Sequence, residues 1–270
     1  MFAFMETKTL AIVGCGKLAK IVIEAFRKGL LPDFKIIGTY SRTFEKAQNF
    51  ANDIQNIRHG GDCTPCRSLD ELLGLKPDYI VETASPDSLR ELALPALKNG
   101  SSIVTLSIGA LADSEFYETV KKTALEHGTR VHLASGAIGG FDVLRTVSLM
   151  EESTVTFNTT KGPRPLRRTA VYDEIIETEE RKVFEGNAVE AIALFPTQVN
   201  VSVAAALAST GPENVKVSIK SVPDYVGDDH RIEIKSQQIH AVIDVYSQTA
   251  QIAGWSVVNT LRNITSPIAF

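Results

Sequence analysis

Leu10-Ala11-Ile12-Val13-Gly14-Cys15-Gly16-Lys17-Leu18-Ala19 decides how the first half of this chain folds. Four apolar residues without a polar break suggest a strand buried on both faces, the kind found inside parallel sheets. Directly after them, Gly14-Cys15-Gly16-Lys17-Leu18-Ala19 matches G-x-G-x-x-G/A, and Lys17 to Lys28 carries helical spacing. Each small residue has a task. Gly14 permits a tight turn, Gly16 lets backbone approach a ligand, and Ala19 lets the helix lie close against the strand. The helix N-terminus then offers free N–H groups and the positive end of its dipole to a diphosphate. Alone the motif is weak; a strand before it and a helix after it make it a dinucleotide-binding signature. The candidate cofactor contacts are Gly14, Gly16, Lys17 and Leu18.

The next strand, Phe34 to Tyr40, leads into Ser41-Arg42-Thr43. Proteins selective for NAD usually place Asp or Glu there, accepting from ribose hydroxyls. No acid is present, whereas Arg42, with Ser41 and Thr43 as extra donors, could meet a 2′-phosphate. Arg42 could equally be a solvated residue opening the following helix. The expectation is NADP in preference to NAD, with Ser41 and Arg42 as further contacts.

Working outward, apolar runs alternate with helical stretches. Ser68-Leu69-Asp70-Glu71 reads as a capping box, and Ser85-Pro86 as a helix start. Pro77–Glu82, Ser102–Leu106 and Arg130–Leu133 read as strands, with an acidic-start helix at Asp113–Glu126. Such alternation implies a parallel sheet with right-handed crossovers, a Rossmann-type α/β domain. The second half changes character. Ser153–Thr159, Asn214–Lys220, Arg231–Lys235 and Ala241–Val245 alternate polar and apolar residues, the mark of a sheet with one wet face. Helical stretches are expected at Ala188–Phe195, from about Val199 to Ala208, and at Thr249–Ile264. The fold class is therefore α/β, an N-terminal Rossmann-type parallel-sheet domain with a second α+β domain of mostly antiparallel sheet. The expected division is 1–135 for the dinucleotide and 136–246 for substrate and dimerisation. The last helix, about 247–270, is expected to pack back on the first domain.

Bulk properties agree. The chain has 270 residues, 44% hydrophobic and 22% charged, with a net charge of −4 and no basic block, so a nucleic-acid partner is not expected. No run of about 18 apolar residues suggests a membrane span, and the first residues lack a secretory pattern. A cytoplasmic enzyme is expected. Three cysteines argue against a disulfide framework. Two of them form Cys63-Thr64-Pro65-Cys66 behind Gly60-Gly61-Asp62, a segment expected in a surface loop. A redox dithiol or half a metal site are the functional alternatives, but a structural zinc needs four ligands and no second pair exists. No metal is expected.

Of five histidines, His230 follows Asp228 and Asp229 at a strand start. Those carboxylates should raise its pKa and favour the protonated form, so that it titrates near neutrality and can handle protons. It could also be a solvated strand-end residue. His132 on an apolar strand and His59 in a loop are given no role.

Ser107-Ile108-Gly109-Ala110-Leu111-Ala112-Asp113 and Ser135-Gly136-Ala137-Ile138-Gly139-Gly140-Phe141-Asp142 resemble the L-aspartate dehydrogenase family, which carries S/P-G-A-I-G-x-x-D-A-L at the second segment. Phe195-Pro196-Thr197-Gln198-Val199-Asn200-Val201 is similar to its Y/F-P-K-N-x-N-V, and Asp229-His230-Arg231-Ile232-Glu233 to its V-H-x-I/V-E. The resemblance implies that Ala137 and Asn200 contact the cofactor near the nicotinamide and that His230 is the catalytic residue. From type alone, Ala137's glycine-rich segment could be a domain hinge and Asn200 an N-cap. The family's reaction is oxidative deamination of L-aspartate to oxaloacetate through an imine, or the reverse. In some members the imine feeds NAD biosynthesis. A homodimer is implied.

The chain departs from the family where charge matters. The family's N-P-K-T-S-A-L stands here as Tyr246-Ser247-Gln248-Thr249-Ala250-Gln251-Ile252, without the Lys. Its R-K-P becomes Thr160-Lys161-Gly162-Pro163. Lys161 is thus the candidate for a substrate carboxylate, with Arg164, Arg167 and Arg168 nearby in sequence or merely in a solvated loop. Two other readings stay open: a dehydrogenase or reductase of another amino, hydroxy or oxo acid, and an NADP-binding regulator without turnover.

Overall fold

The structure, a computed structural model, describes residues 7–57, 61–196 and 198–270. Residues 1–6, His59, Gly60 and Thr197, on which some of the sequence readings fall, lie outside the described residues. Two compact units emerge. One comprises the chain to Ala110, Glu115–Ala134 and Ala253–Phe270, the other Leu111–Ser114 and Ser135–Ile252.

In the first unit the apolar run becomes β1 (Lys8–Val13), whose Leu10–Val13 are at most 1% exposed. It is joined by β2 (Phe34–Tyr40), β3 (Thr64–Cys66), β4 (Tyr79–Glu82), β5 (Ser102–Thr105) and β6 (Val131–Leu133). The strand order is β3-β2-β1-β4-β5-β6, and every pair is parallel. The connections contain α1 (Lys17–Arg27), α2 (Phe44–Gln55), α3 (Leu69–Gly74), α4 (Pro86–Lys98) and α5 (Ser114–His127). Strand order reverses between β1 and β4, so the carboxyl ends of these two strands flank the crevice where such sheets bind ligands.

Helix starts follow local chemistry. Ser85 accepts from Ser88 N–H at 3.2 Å with Pro86 in the first turn. Ser68 accepts from Glu71 N–H, but the Glu71 carboxylate takes Arg67 N–H at 2.6 Å, one residue before a reciprocal capping box would have it.

The second unit carries α6 (Phe141–Met150), β7 (Thr154–Lys161), β8 (Arg181–Asn187), α7 (Ala188–Leu194), α8 (Asn200–Leu207), β9 (Lys216–Ser221), β10 (Asp228–Lys235) and β11 (His240–Ser247). The sheet order is β11-β10-β7-β9-β8, antiparallel except between β7 and β9. Alternation sends Val155, Phe157, Thr159 and Lys161 of β7 and His230, Ile232 and Ile234 of β10 to the buried face. The central part of α8, Ser202–Ala206, is buried.

The chain closes with α9 (Gln251–Thr265). From Ala253 onward it belongs to the first unit, where Gly254 lies so close to Ile21 of α1 that any Cβ would strike that side chain. Val257, Val258 and Leu261 complete the core around β1. Among the described residues no helix is long and apolar enough to cross a membrane.

Gly61 and Asp62 are exposed and outside any strand, as a surface loop requires, but the cysteines that follow are not part of it. Thr64–Cys66 forms the edge strand β3, and Cys63 and Cys66 are 2% and 1% exposed. Pairing with Gly38, Thr39 and Tyr40 of β2 draws the segment into the sheet.

Candidate active site

Gly14 leaves β1 at φ +93°, a left-handed backbone that glycine adopts without strain. Its N–H donates to Tyr40 C=O at 2.9 Å, and its own C=O accepts from Thr83 Oγ1 at 3.0 Å. A Cβ at Gly14 would come within 2.7 Å of Ala84 N and Cβ. Gly16 differs: φ is −102° and no atom lies within 4 Å of where its Cβ would be. That open space fronts the N-terminus of α1, where no side chain caps the free N–H groups. A diphosphate fits this cradle. Lys17 is exposed in the first turn, while the Leu18 side chain packs on the core, so Leu18 can address a ligand only through its backbone.

Gly14, Gly16, Ser41, Arg42 and Thr43 all border one cavity of about 250 Å3, with Thr83 and Ser85 on its other wall. Lys46, on the first turns of α2, lines it too and adds a second cation near Arg42. Lys46 was not among the expected contacts, although it falls in the first turn of the helix that follows Arg42. Thr43 is the N-cap of α2, yet its side chain caps nothing and remains available to a ligand.

Behind this crevice sits Glu82, fully buried at the end of β4. Its Oε1 accepts from Ala84 N–H at 2.8 Å and Ser85 N–H at 3.1 Å, and its Oε2 from Thr105 Oγ1 at 2.7 Å. The carboxylate therefore fixes the loop that abuts Gly14. Burial pushes its pKa up despite these donors. Nothing in the sequence beyond an acid closing an apolar strand signals it.

In the second unit, Gly136 turns at φ +65° and its Cα faces Val201, whose Cγ1 would be 3.0 Å from an added Cβ. This sets the Ala137 turn beside the start of α8, where Asn200 is the first helical residue. Asn200 is not the N-cap, a position held by Val199 without a side-chain bond.

Lys161, Asp228, Thr159 and His230 are brought together by strand register. Thr159 pairs with His230 and Lys161 with Asp228 across β7 and β10. Thr159 Oγ1 is 2.9 Å from His230 Nδ1, and Lys161 Nζ is 3.3 Å from Asp228 Oδ1. His230 is 3% exposed and its ring lies 5.7 Å from that of Phe157. The expected rise in its pKa is reversed. Burial and, after it, the Lys161 charge hold it down at about 4, with Asp228 opposing only in part. The ring is neutral at pH 7, a ready proton acceptor.

The cysteines are unsuited to redox work. Burial pushes Cys63 up to about 12 and Cys66 up to about 11, so neither is a thiolate at neutral pH. Among the described residues no group of three or more His, Cys, Asp or Glu could hold a metal ion.

Comparison with known proteins follows the same division. Residues 14–134 match the model described as "Homoserine dehydrogenase, NAD binding domain", and residues 142–264 match "Aspartate dehydrogenase, C-terminal". An L-aspartate dehydrogenase from Methanococcus maripaludis strain C6 is 33% identical over 270 residues, 96% of this chain and 97% of that protein. Another, from Methanocaldococcus jannaschii, is 30% identical over 96% of this chain and 97% of its own length. The crystal structure of aspartate dehydrogenase from Thermotoga maritima superposes with a TM-score of 0.73 at 29% identity, covering 97% of this chain and 99% of that one.

Proposed function

The chain belongs to the L-aspartate dehydrogenase family, and on that premise we propose that it interconverts L-aspartate with oxaloacetate and ammonia, using NADP in preference to NAD. The observation that carries this reading is the buried, neutral His230 held by Thr159 beside the Lys161–Asp228 pair. When bound, the nicotinamide supplies the acceptor for the electron pair of the substrate Cα–H bond. The chain's own residues do the rest. Lys161 binds the α-carboxylate and Asp228 faces the amino group. Neutral His230 takes a proton from the substrate ammonium and passes it to solvent as the C=N bond forms. It then takes a proton from the water that attacks the imine carbon and returns it to the amino nitrogen, which leaves as ammonia when the carbonyl forms. Arrival of a carboxylate at Lys161 offsets part of the charge that depresses His230, which raises its pKa toward the ordinary range and helps the ring hold the proton it takes. Ala137 and Asn200 border the nicotinamide end, while Gly14, Gly16 and the N–H groups of Lys17 and Leu18 hold the diphosphate.

NADP follows from Arg42 and Lys46 lining the crevice past a β2 that ends in Tyr40 rather than an acid. A homodimer suits the solvent face of the second sheet, where Arg231, Asp244 and Tyr246 stand exposed on the neighbouring β10 and β11. Unpaired cysteines suit the cytoplasm.

The test is turnover of L-aspartate with NADP and with NAD, and of oxaloacetate plus ammonia with NADPH, against a panel of monocarboxylic amino and oxo acids. Aspartate should be the best amino donor, and His230→Gln should lower kcat by roughly 100-fold or more. A chain that turns over only other acids, or binds NADP without turnover, would contradict the assignment.

A further inference from the structure

A cavity of about 480 Å3 in the second unit is bordered by Asp228, Gly162, Gln248, Arg164, Arg167 and Glu177. It therefore opens beside the Lys161–Asp228 pair. Its cations are not equivalent. Arg167 is committed: Nε and Nη2 donate to the two oxygens of Glu177 at 2.7 and 2.8 Å, and Tyr172 Oη adds a third bond to that carboxylate. Lys161 is buried against Asp228. Arg164, in the short helical turn just after β7, is exposed and has no ion-pair partner among the described residues.

We propose that Arg164 binds the second carboxylate of the substrate and so makes this site selective for a dicarboxylic amino acid. The inference deepens the aspartate reading above and rests on it. Charge complementarity supports it. L-Aspartate brings two carboxylates and one ammonium; Lys161, Arg164 and Asp228 present two cations and one anion. The Oδ1 of Asp228 is buried and accepts no hydrogen bond, engaging only the Lys161 ion pair at 3.3 Å, so it keeps lone pairs for a substrate ammonium beside that lysine. Gln248, at the pocket wall where the family resemblance would have placed a lysine, offers an amide but no charge. The planar guanidinium of Arg164 can grip a carboxylate with two parallel bonds, which an amide cannot. Asp224 lines the cavity at its exposed edge, where solvent screens it.

The experiment compares wild type, Arg164→Ala and Arg164→Lys on L-aspartate and on L-2-aminobutyrate, which lacks the second carboxylate. Arg164→Ala should raise KM for L-aspartate roughly 10- to 100-fold, the value of a charged hydrogen-bonded pair. Its kcat should fall far less, and kcat/KM for L-2-aminobutyrate and KM for NADP should stay at wild-type values. Arg164→Lys should recover part of the loss. If wild type turns over L-aspartate and Arg164→Ala keeps its KM, Arg164 is not the second carboxylate site, while the aspartate reading survives. If wild type does not turn over L-aspartate with either cofactor, the aspartate reading itself fails and this inference with it.

Discussion

Thr159 and His230 sit opposite each other on adjacent antiparallel strands, with the threonine hydroxyl 2.9 Å from Nδ1 of the imidazole. Inside a dry sheet face this bond orients the ring and selects its tautomer. Thr159→Val keeps the shape and removes the bond. It should lower kcat roughly tenfold, in line with loss of one buried hydrogen bond, with NADP binding unchanged. Steady-state rates and a cofactor fluorescence titration measure the two effects; an unchanged kcat would reduce the hydroxyl to packing.

The same burial makes stability depend on pH. His230 is held at about 4 in the folded chain against an ordinary 6.5, so below that ordinary value the unfolded chain takes up a proton that the fold refuses. Stability from this residue is complete above pH 6.5 and drains away as pH falls toward 4, by up to about 3 kcal/mol. Urea melts of wild type and His230→Gln between pH 7.5 and 4.5 should diverge, with the variant less sensitive to acid. Parallel curves would count against a neutral buried ring.

Gly14 and Gly16 should fail differently when replaced. Gly14→Ala forces a side chain into a positive-φ backbone and against Ala84, so it should cost about 2 kcal/mol or more and lower Tm even without cofactor. Gly16→Ala meets no protein atom and should leave the cofactor-free Tm near wild type. Its methyl would occupy the space of the diphosphate, and Kd for NADP should rise roughly tenfold or more. Calorimetry with and without NADP separates the two cases.

Arg42 and Lys46 should act together on cofactor choice. Arg42→Ala should raise KM for NADP by roughly 10- to 100-fold and leave NAD nearly unchanged, as expected for a lost charge-assisted pair. Lys46→Ala should act in the same direction, more weakly, because a lysine offers a point charge rather than a fork. If both variants lose NAD and NADP equally, the cations serve the crevice as a whole and not a 2′-phosphate.

How much of this was legible in the sequence depended on whether a residue's role is local. The turn at Gly14 and Gly16 was readable because a strand, two glycines and a helix lie in one short segment. β10 and β7 showed their alternation. β8 did not, since Arg181-Lys182-Val183-Phe184-Glu185 has its charges where alternation would show. The His230 pKa was read in the wrong direction because Asp228 is a neighbour in sequence, whereas Lys161 and the surrounding apolar residues are neighbours only in the sheet. Lys46 and Glu82 escaped notice for the same reason: their importance comes from what the fold sets beside them. Cys63 and Cys66 looked like loop residues because a three-residue edge strand has no period to detect.

The return of α9 to the first unit has a consequence for biogenesis. Gly254, Val257, Val258 and Leu261 fill the seam beside Ile21 and β1, yet the ribosome makes them after the whole second unit. The dinucleotide-binding unit must therefore wait, with an apolar groove uncovered, while the later-made sheet has already been able to close. Termination just before Ala253 would leave that groove permanently open, a truncation product marked for chaperones or proteases even though every glycine of the cofactor turn would be in place.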